Sequence, residues 1–231
     1  MIERIYTKED LLDLPEHGVE AQKIRALWLA YGSQWDFCRF FRQGSAYLAA
    51  LDGSFVICDE NGCDTDELSV FLLAGGFSDI ICSVDSGLKI GRSLGIEPKI
   101  VNLMTYAGAY HSSELPTEVQ PGEIWNIIEK RFSPAFEPWY LDMSHRVRHG
   151  VTKCFSDGKA ALVLQHDINN EALISQVCVL PDDEGKGYAS GLLRKVCLGL
   201  SSTVQVVCED ELRGFYEKCD FIKTAELCIL A

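Results

Sequence analysis

Residues 179 to 189 read Val-Leu-Pro-Asp-Asp-Glu-Gly-Lys-Gly-Tyr-Ala, a glycine-punctuated stretch between an apolar strand-like run and an amphipathic helix. The run from Ala172 to Val179 is mostly apolar, and Leu192, Leu193, Val196, Cys197 and Leu200 recur beyond it at helical spacing. A strand therefore feeds a helix N-terminus. The first amides of a helix have no intrahelical acceptor and the helix dipole is positive there, so such a junction can hold a diphosphate through backbone alone. Gly185 and Gly187 permit positive φ and let a ligand approach the main chain.

The spacing fits neither common nucleotide loop. A P-loop needs Gly-x-x-x-x-Gly-Lys-Ser/Thr and a dinucleotide turn needs Gly-x-Gly-x-x-Gly, whereas Gly185 and Gly187 are followed by Ala189 and Gly191. The six residues Glu184, Gly185, Lys186, Gly187, Tyr188 and Ala189 instead resemble motif A of the GNAT-type N-acetyltransferases, Gln/Arg-x-x-Gly-x-Gly/Ala, with a Val-x-Pro lead-in at Val179 and Pro181. A second block follows at the interval usual in that family. After a short strand over Val204 to Val207 and a helix over 209 to 219, the run Phe215-Tyr216-Glu217-Lys218-Cys219-Asp220-Phe221 is similar to the family's Tyr-x-Lys-x-Gly-Phe signature. The resemblance covers roughly residues 120 to 231.

The resemblance implies a mixed α/β (α+β) protein with a central mixed sheet flanked by helices, in which acetyl-CoA lies in a splay beside the strand Ala172 to Val179. It implies direct transfer of the acetyl group to a primary amine of a small molecule or peptide, with no metal. Val177, Cys178 and Val179 would meet the pantetheine arm. Glu184, Gly185, Lys186, Gly187, Tyr188, Ala189 and Ser190 would hold the diphosphate, and Tyr216 would be the catalytic acid toward the departing sulfur. The same resemblance accommodates a non-catalytic acyl-CoA-binding sensor or scaffold.

Two departures from the family pattern stand out. Glu184 occupies the position of the usual Arg or Gln and follows Asp182 and Asp183, which weakens coenzyme binding by about 1 kcal/mol or less per exposed charge without removing the amides. Asp220 replaces the usual Gly after the second helix, where Asp tolerates left-handed φ better than most residues. The general base is not singled out: the strand before the loop offers Ser175 and Gln176 with Glu171 at its mouth, and His145, His149, His166, Asp142 and Glu209 are the other titratable options.

The first half of the chain has its own pattern. An aromatic-rich helical periodicity runs through residues 20 to 42. A hairpin follows, Tyr47 to Leu51 and Phe55 to Cys58 around Asp52-Gly53, then an Asp64 N-cap, a helix to Ala74, a strand at Ile80 to Cys82 and a helical stretch to Leu94. This order echoes the second half, so a smaller, degenerate lobe of the same kind is expected over residues 1–110, with the transferase domain over 111–231. Residues 107 to 122, with Gly108, Ser112, Ser113 and Pro116, read as the linker, and Pro134 and Pro138 as a break between two helices before Trp139 to His149. Trp139, Tyr140, His145 and Arg148 then either border an acceptor cleft or pack between lobes.

The net charge of −13, with no basic stretch visible in the sequence, argues against a nucleic-acid partner. An acidic surface draws a cationic amine acceptor by long-range attraction and equally serves solubility. Met1 to Asp10 lack an apolar signal core, no run approaches membrane-spanning length, and ten cysteines without a Cys-x-x-Cys read as buried thiols in a reducing cytoplasm.

Overall fold

The computed structural model describes residues 1–60, 62–108 and 114–231. Ser112 and Ser113 of the expected linker lie outside the described residues. The chain forms two compact units, one of residues 1–102 with 225–231 and one of residues 103–224. This division differs from the expected 1–110 and 111–231, because the last residues of the chain pair back into the first unit.

The first unit contains β1 (Glu3–Ile5), α1 (Val19–Tyr31), β2 (Cys38–Gln43), β3 (Ala46–Leu51), β4 (Ser54–Cys58), α2 (Thr65–Gly75), β5 (Asp79–Ser83) and α3 (Val84–Leu94). The helical periodicity expected through residue 42 stops at Gly32, which closes α1 with its N–H donating to Trp28 O at φ +62°. Phe40 and Phe41 belong instead to a strand covered on both faces, which reads as a continuous apolar run. Phe40 meets Trp28 of α1 and Phe41 meets Phe71 of α2, each with ring centroids 4.9 Å apart. The hairpin turns at Asp52-Gly53, both at positive φ (47° and 89°), as a two-residue loop requires. Asp64 caps α2, accepting from Glu67 N at 3.0 Å. A core of Leu48, Phe55, Leu68, Leu72, Ile80 and Ile90 follows from this placement, each such side chain contributing on the order of 1.5–3 kcal/mol.

The chain continues through β6 (Lys99–Tyr106), β7 (Glu118–Val119), α4 (Pro121–Phe132), α5 (Phe136–Arg148), β8 (Lys153–Ser156), β9 (Ala160–Ile168), β10 (Glu171–Val179), a 3-10 turn (Pro181–Asp183), α6 (Tyr188–Gly199), β11 (Thr203–Cys208), α7 (Asp210–Glu217) and β12 (Phe221–Leu230). Residues Leu227–Leu230 of β12 pair antiparallel with β5 and so belong to the first unit. Within the second unit the strand order is β12, β6, β11, β10, β9, β8, β7, a mixed sheet in which β10 and β11 run parallel.

Part of the expected linker is ordered structure. Glu118–Val119 pairs with β8, and Pro121 starts α4, where the N–H that proline lacks would have no helical acceptor anyway. For the same reason Pro138 sits in the first turn of α5 and does not break it. Alternation along the strands sends Ile174, Val177 and Val179 to a core shared with α6 and α7, and Cys178, Ala161 and Val163 to a separate core under α4 and α5. A similar succession recurs in both halves of the chain, strand, helix, three antiparallel strands, helix, strand, helix, strand, with two helices, α4 and α5, where the first half has α1. In both, the last of the three strands pairs parallel with the strand after the next helix, β4 with β5 and β10 with β11.

Candidate active site

Parallel pairing of β10 with β11 runs from Glu171 opposite Thr203 to Ile174 opposite Val206 and ends there. On its other edge β10 slips against β9, Ser175 facing Val163 and Cys178 facing Ala161, so two residues oppose one in a bulge. Within the bulge Gln176 adopts φ +51°, a conformation that costs an L-residue about 1–2 kcal/mol. Its side chain is held: Trp139 Nε1 of α5 donates to Gln176 Oε1 at 3.2 Å. The bulge bends β10 away from β11 and leaves the edge from Ser175 to Val179 without a β11 partner.

Beyond Val179 the chain forms the quoted loop. Glu184 N donates to Pro181 O at 3.3 Å and Lys186 N to Asp183 O at 3.4 Å. The amides of Gly185, Gly187, Tyr188, Ala189 and Ser190 have no acceptor among the described residues. Gly185 (φ +73°) and Gly187 (φ +85°) turn the backbone so that these N–H groups gather at the start of α6. A Cβ at Gly185 would meet nothing within 4 Å and one at Gly187 only Ser190 Oγ at 3.9 Å, so backbone conformation, not space, demands glycine here.

The loop's acidic charge is largely met within the loop. Asp183 Oδ1 lies 2.9 Å from Lys186 Nζ and 3.5 Å from Lys159 Nζ, and the hydrogen bond from Lys186, aided by Lys159, holds its carboxyl below the usual range. Lys186 is therefore turned toward Asp183 and the carbonyl of Asp182 (2.7 Å) and does not line the cavity described next. Lys159 also donates to Tyr188 Oη at 2.9 Å, fixing that ring at the helix start.

A cavity of about 700 Å³ opens along the splay. The strand contributes Val177, Cys178 and Val179; the loop contributes Glu184, Gly185 and Gly187; the helix contributes Tyr188, Ala189 and Ser190. Every residue expected at the coenzyme except Lys186 thus lines one space. Tyr216 is not among the lining residues, although its neighbours Phe215 and Cys219 are. It is 7% exposed, edge-on to Phe215 and Phe221 with centroids 5.1 and 5.7 Å away. Burial, reinforced by the nearby thiols of Cys208, Cys219 and Cys178, pushes its hydroxyl well above the ordinary phenol range, so it is protonated at neutral pH. Burial likewise pushes Cys178 up to about 12 and Cys208 up to about 11, which makes them protonated and poor nucleophiles.

The chain matches no protein-family model and no curated protein. Solved structures do resemble it along its length. A GCN5-related N-acetyltransferase from Kribbella flavida aligns with a TM-score of 0.60 at 13% identity, over 92% of this chain and 95% of that one. One from Sphaerobacter thermophilus aligns at 0.55 and 14% identity, over 91% and 84%. An acetyltransferase of the GNAT family from Colwellia psychrerythraea aligns at 0.53 and 12% identity, over 100% and 98%. This chain has the GNAT fold.

Within that GNAT fold the cavity also receives residues that the sequence reading did not select. Arg194 follows Gly187, Ser190 and Gly191 on one helical face, a spacing that could have revealed it; its guanidinium bonds the carbonyl of Lys218, which also lines the space. Arg131, from the last turn of α4, had no local signal in any phosphate motif. The titratable candidates lie elsewhere: His145 packs against His149 with tilted rings 4.4 Å apart, His166 is 2% exposed on β9, and Asp142 is paired with Arg146 at 2.7 Å. Trp139 packs under α4 and α5, while Tyr140 stacks on Phe136 at 5.3 Å. Neither lines the cavity.

Proposed function

We propose that the unit of residues 103–224 binds acetyl-CoA and passes its acetyl group directly to a primary amine. The observation that carries this reading is the convergence on one cavity of five amides without acceptors and an unpaired strand edge. A diphosphate offers the acceptors that the amides of Gly185, Gly187, Tyr188, Ala189 and Ser190 lack, and the amide groups of a pantetheine arm complement the free edge at Val177 to Val179. The flanking carboxylate of Asp183 is offset by Lys159 and Lys186, so the cradle keeps its attraction for an anion.

In the reaction the amine nitrogen attacks the thioester carbonyl carbon, a C–N bond forms, the C–S bond breaks, and nitrogen gives up a proton to solvent. The resemblance assigns the proton of the departing sulfur to Tyr216, whose ring lies behind Phe215 and Cys219 of the cavity lining and reaches the sulfur only once those side chains move. Burial keeps this phenol protonated at neutral pH and, by raising its pKa, also makes it a weaker acid.

The same amides would serve a non-catalytic acyl-CoA sensor. That reading draws on one observation: among the described residues, the carboxylates lining the cavity are Asp183 and Glu184 at the loop, and no histidine lines it. Calorimetry with acetyl-CoA and free-thiol release over a panel of amines separate the two. Binding with thiol release establishes the transferase, binding alone establishes the sensor, and absence of binding overturns both.

We further infer that the first unit is a second lobe of the same descent that holds no coenzyme. Its β4–α2 connection carries Asp59, Glu60 and Asp64 where the other lobe has a glycine cradle. Ten free cysteines, all but Cys63 buried, suit a reducing compartment such as the cytoplasm. Among the described residues, no helix is long and apolar enough to cross a membrane.

A further inference from the structure

Ile124, Ile127 and Ile128 form the stripe by which α4 covers β8, β9 and β10. Arg131 lies seven, four and three residues beyond them and so continues that stripe to its solvent-exposed end. At this last position the stripe has run past the core, and the side chain lines the cavity beside Cys178. The guanidinium is exposed to solvent at the cavity and therefore available to a ligand. Arg131 has no carboxylate partner among the described residues.

The face of β10 on which it stands decides what it can meet. The loop of Gly185 and Gly187 leads into α6, which packs with α7 on one face of the sheet, whereas α4 packs on the other, with Cys178. The cavity therefore passes through the splay, with the amide cradle on one side and Arg131 on the other. Arg131 is close enough to Cys178 to oppose the burial that raises its thiol, and both residues line the cavity. At the glycine loop, Asp183 is instead paired with Lys186 and Lys159.

We propose that Arg131 is the acceptor-recognition residue and that the acceptor is an amine carrying a carboxylate, an α-amino acid in the simplest case. This rests on the acetyl-CoA reading of the same cavity. A planar guanidinium without an ion-pair partner takes a carboxylate through two parallel hydrogen bonds, which fixes the amine as well as binding it. Such an acceptor is zwitterionic, so the net charge of −13 does not repel it as it would a simple anion.

The test measures kcat/KM with acetyl-CoA for the proteinogenic α-amino acids and for their α-carboxamides, in the wild type, Arg131→Gln and Arg131→Lys. The wild type should favour an acid over its amide, and Arg131→Gln should lower that ratio about tenfold or more, with partial recovery in Arg131→Lys. Taking the ratio between enzymes cancels the intrinsic reactivity of each amine. An unchanged ratio in Arg131→Gln, or acetyl-CoA binding without turnover of any amino acid, overturns the proposal and leaves the coenzyme reading standing. Loss of acetyl-CoA affinity in Arg131→Gln equal to its loss of turnover reassigns the guanidinium to the coenzyme and also overturns it. Failure of the wild type to bind acetyl-CoA removes the underlying reading itself.

Discussion

The indole N–H of Trp139 donates to the side-chain oxygen of Gln176 at 3.2 Å, and Gln176 is the residue whose left-handed backbone stands where β10 parts from β11. A side chain on α5 thus supports the bend that opens the cavity. Trp139→Phe should lower stability by about 1 kcal/mol through the lost hydrogen bond. Gln176→Val should cost about 1–2 kcal/mol more, because a β-branched residue resists positive φ. Urea denaturation measures both, and unchanged midpoints would show that the bulge needs no such support.

Gly187 at φ +85° begins α6 and sets the direction of the free amides. Gly187→Ala meets no steric obstacle, since only Ser190 Oγ comes within 4 Å. Its cost is conformational, about 1–2 kcal/mol, and relaxation toward negative φ would scatter the amides. Acetyl-CoA affinity should fall about tenfold while the far-ultraviolet circular dichroism is retained; unaltered affinity would mean that the diphosphate lies elsewhere.

Asp183 draws two ammonium groups away from the cavity. Asp183→Asn should release Lys186 and Lys159 toward the coenzyme, tightening binding several-fold at low salt and less at high salt. The carboxyl is held below its ordinary value, so its stabilising contribution is complete above about pH 4 and is lost as pH falls through the lowered value. An acid-unfolding titration should show this component in the wild type and not in Asp183→Asn. Weaker coenzyme binding in the variant would contradict the scheme.

Tyr216→Phe should reduce turnover about a hundredfold, within the usual range for a lost general acid, with acetyl-CoA affinity retained. The phenol is raised above its ordinary value, and the reactive form is the protonated one, so activity should be lost only as pH rises through that raised value. No basic limb from this residue is expected below about pH 10. Full activity in Tyr216→Phe would remove Tyr216 from the chemistry.

Asp220 illustrates how far local reading reaches. It stands where glycine is usual in the resembled signature, and it adopts φ +68°, as a short polar side chain permits. The turn at Asp52-Gly53, the Asp64 cap and the cradle at Gly185 to Ala189 were legible for the same reason: each depends on the conformational freedom of a few neighbouring residues. Phe40 and Phe41 were not, because a strand covered on both faces loses the alternation that distinguishes it from a helix.

By itself, then, the amino-acid order determined the parts whose energetics are settled within a turn or two: the glycine-rich junction, the helix starts and the second motif through Phe221. Tertiary structure decided the rest. It returned Leu227–Leu230 to pair with β5, closed Asp183 between Lys159 and Lys186, buried Tyr216 behind its expected opening, and carried the α4 stripe to Arg131. These relationships join residues far apart in the chain, and their free energies depend on burial and charge pairing that exist only once the sheet has assembled.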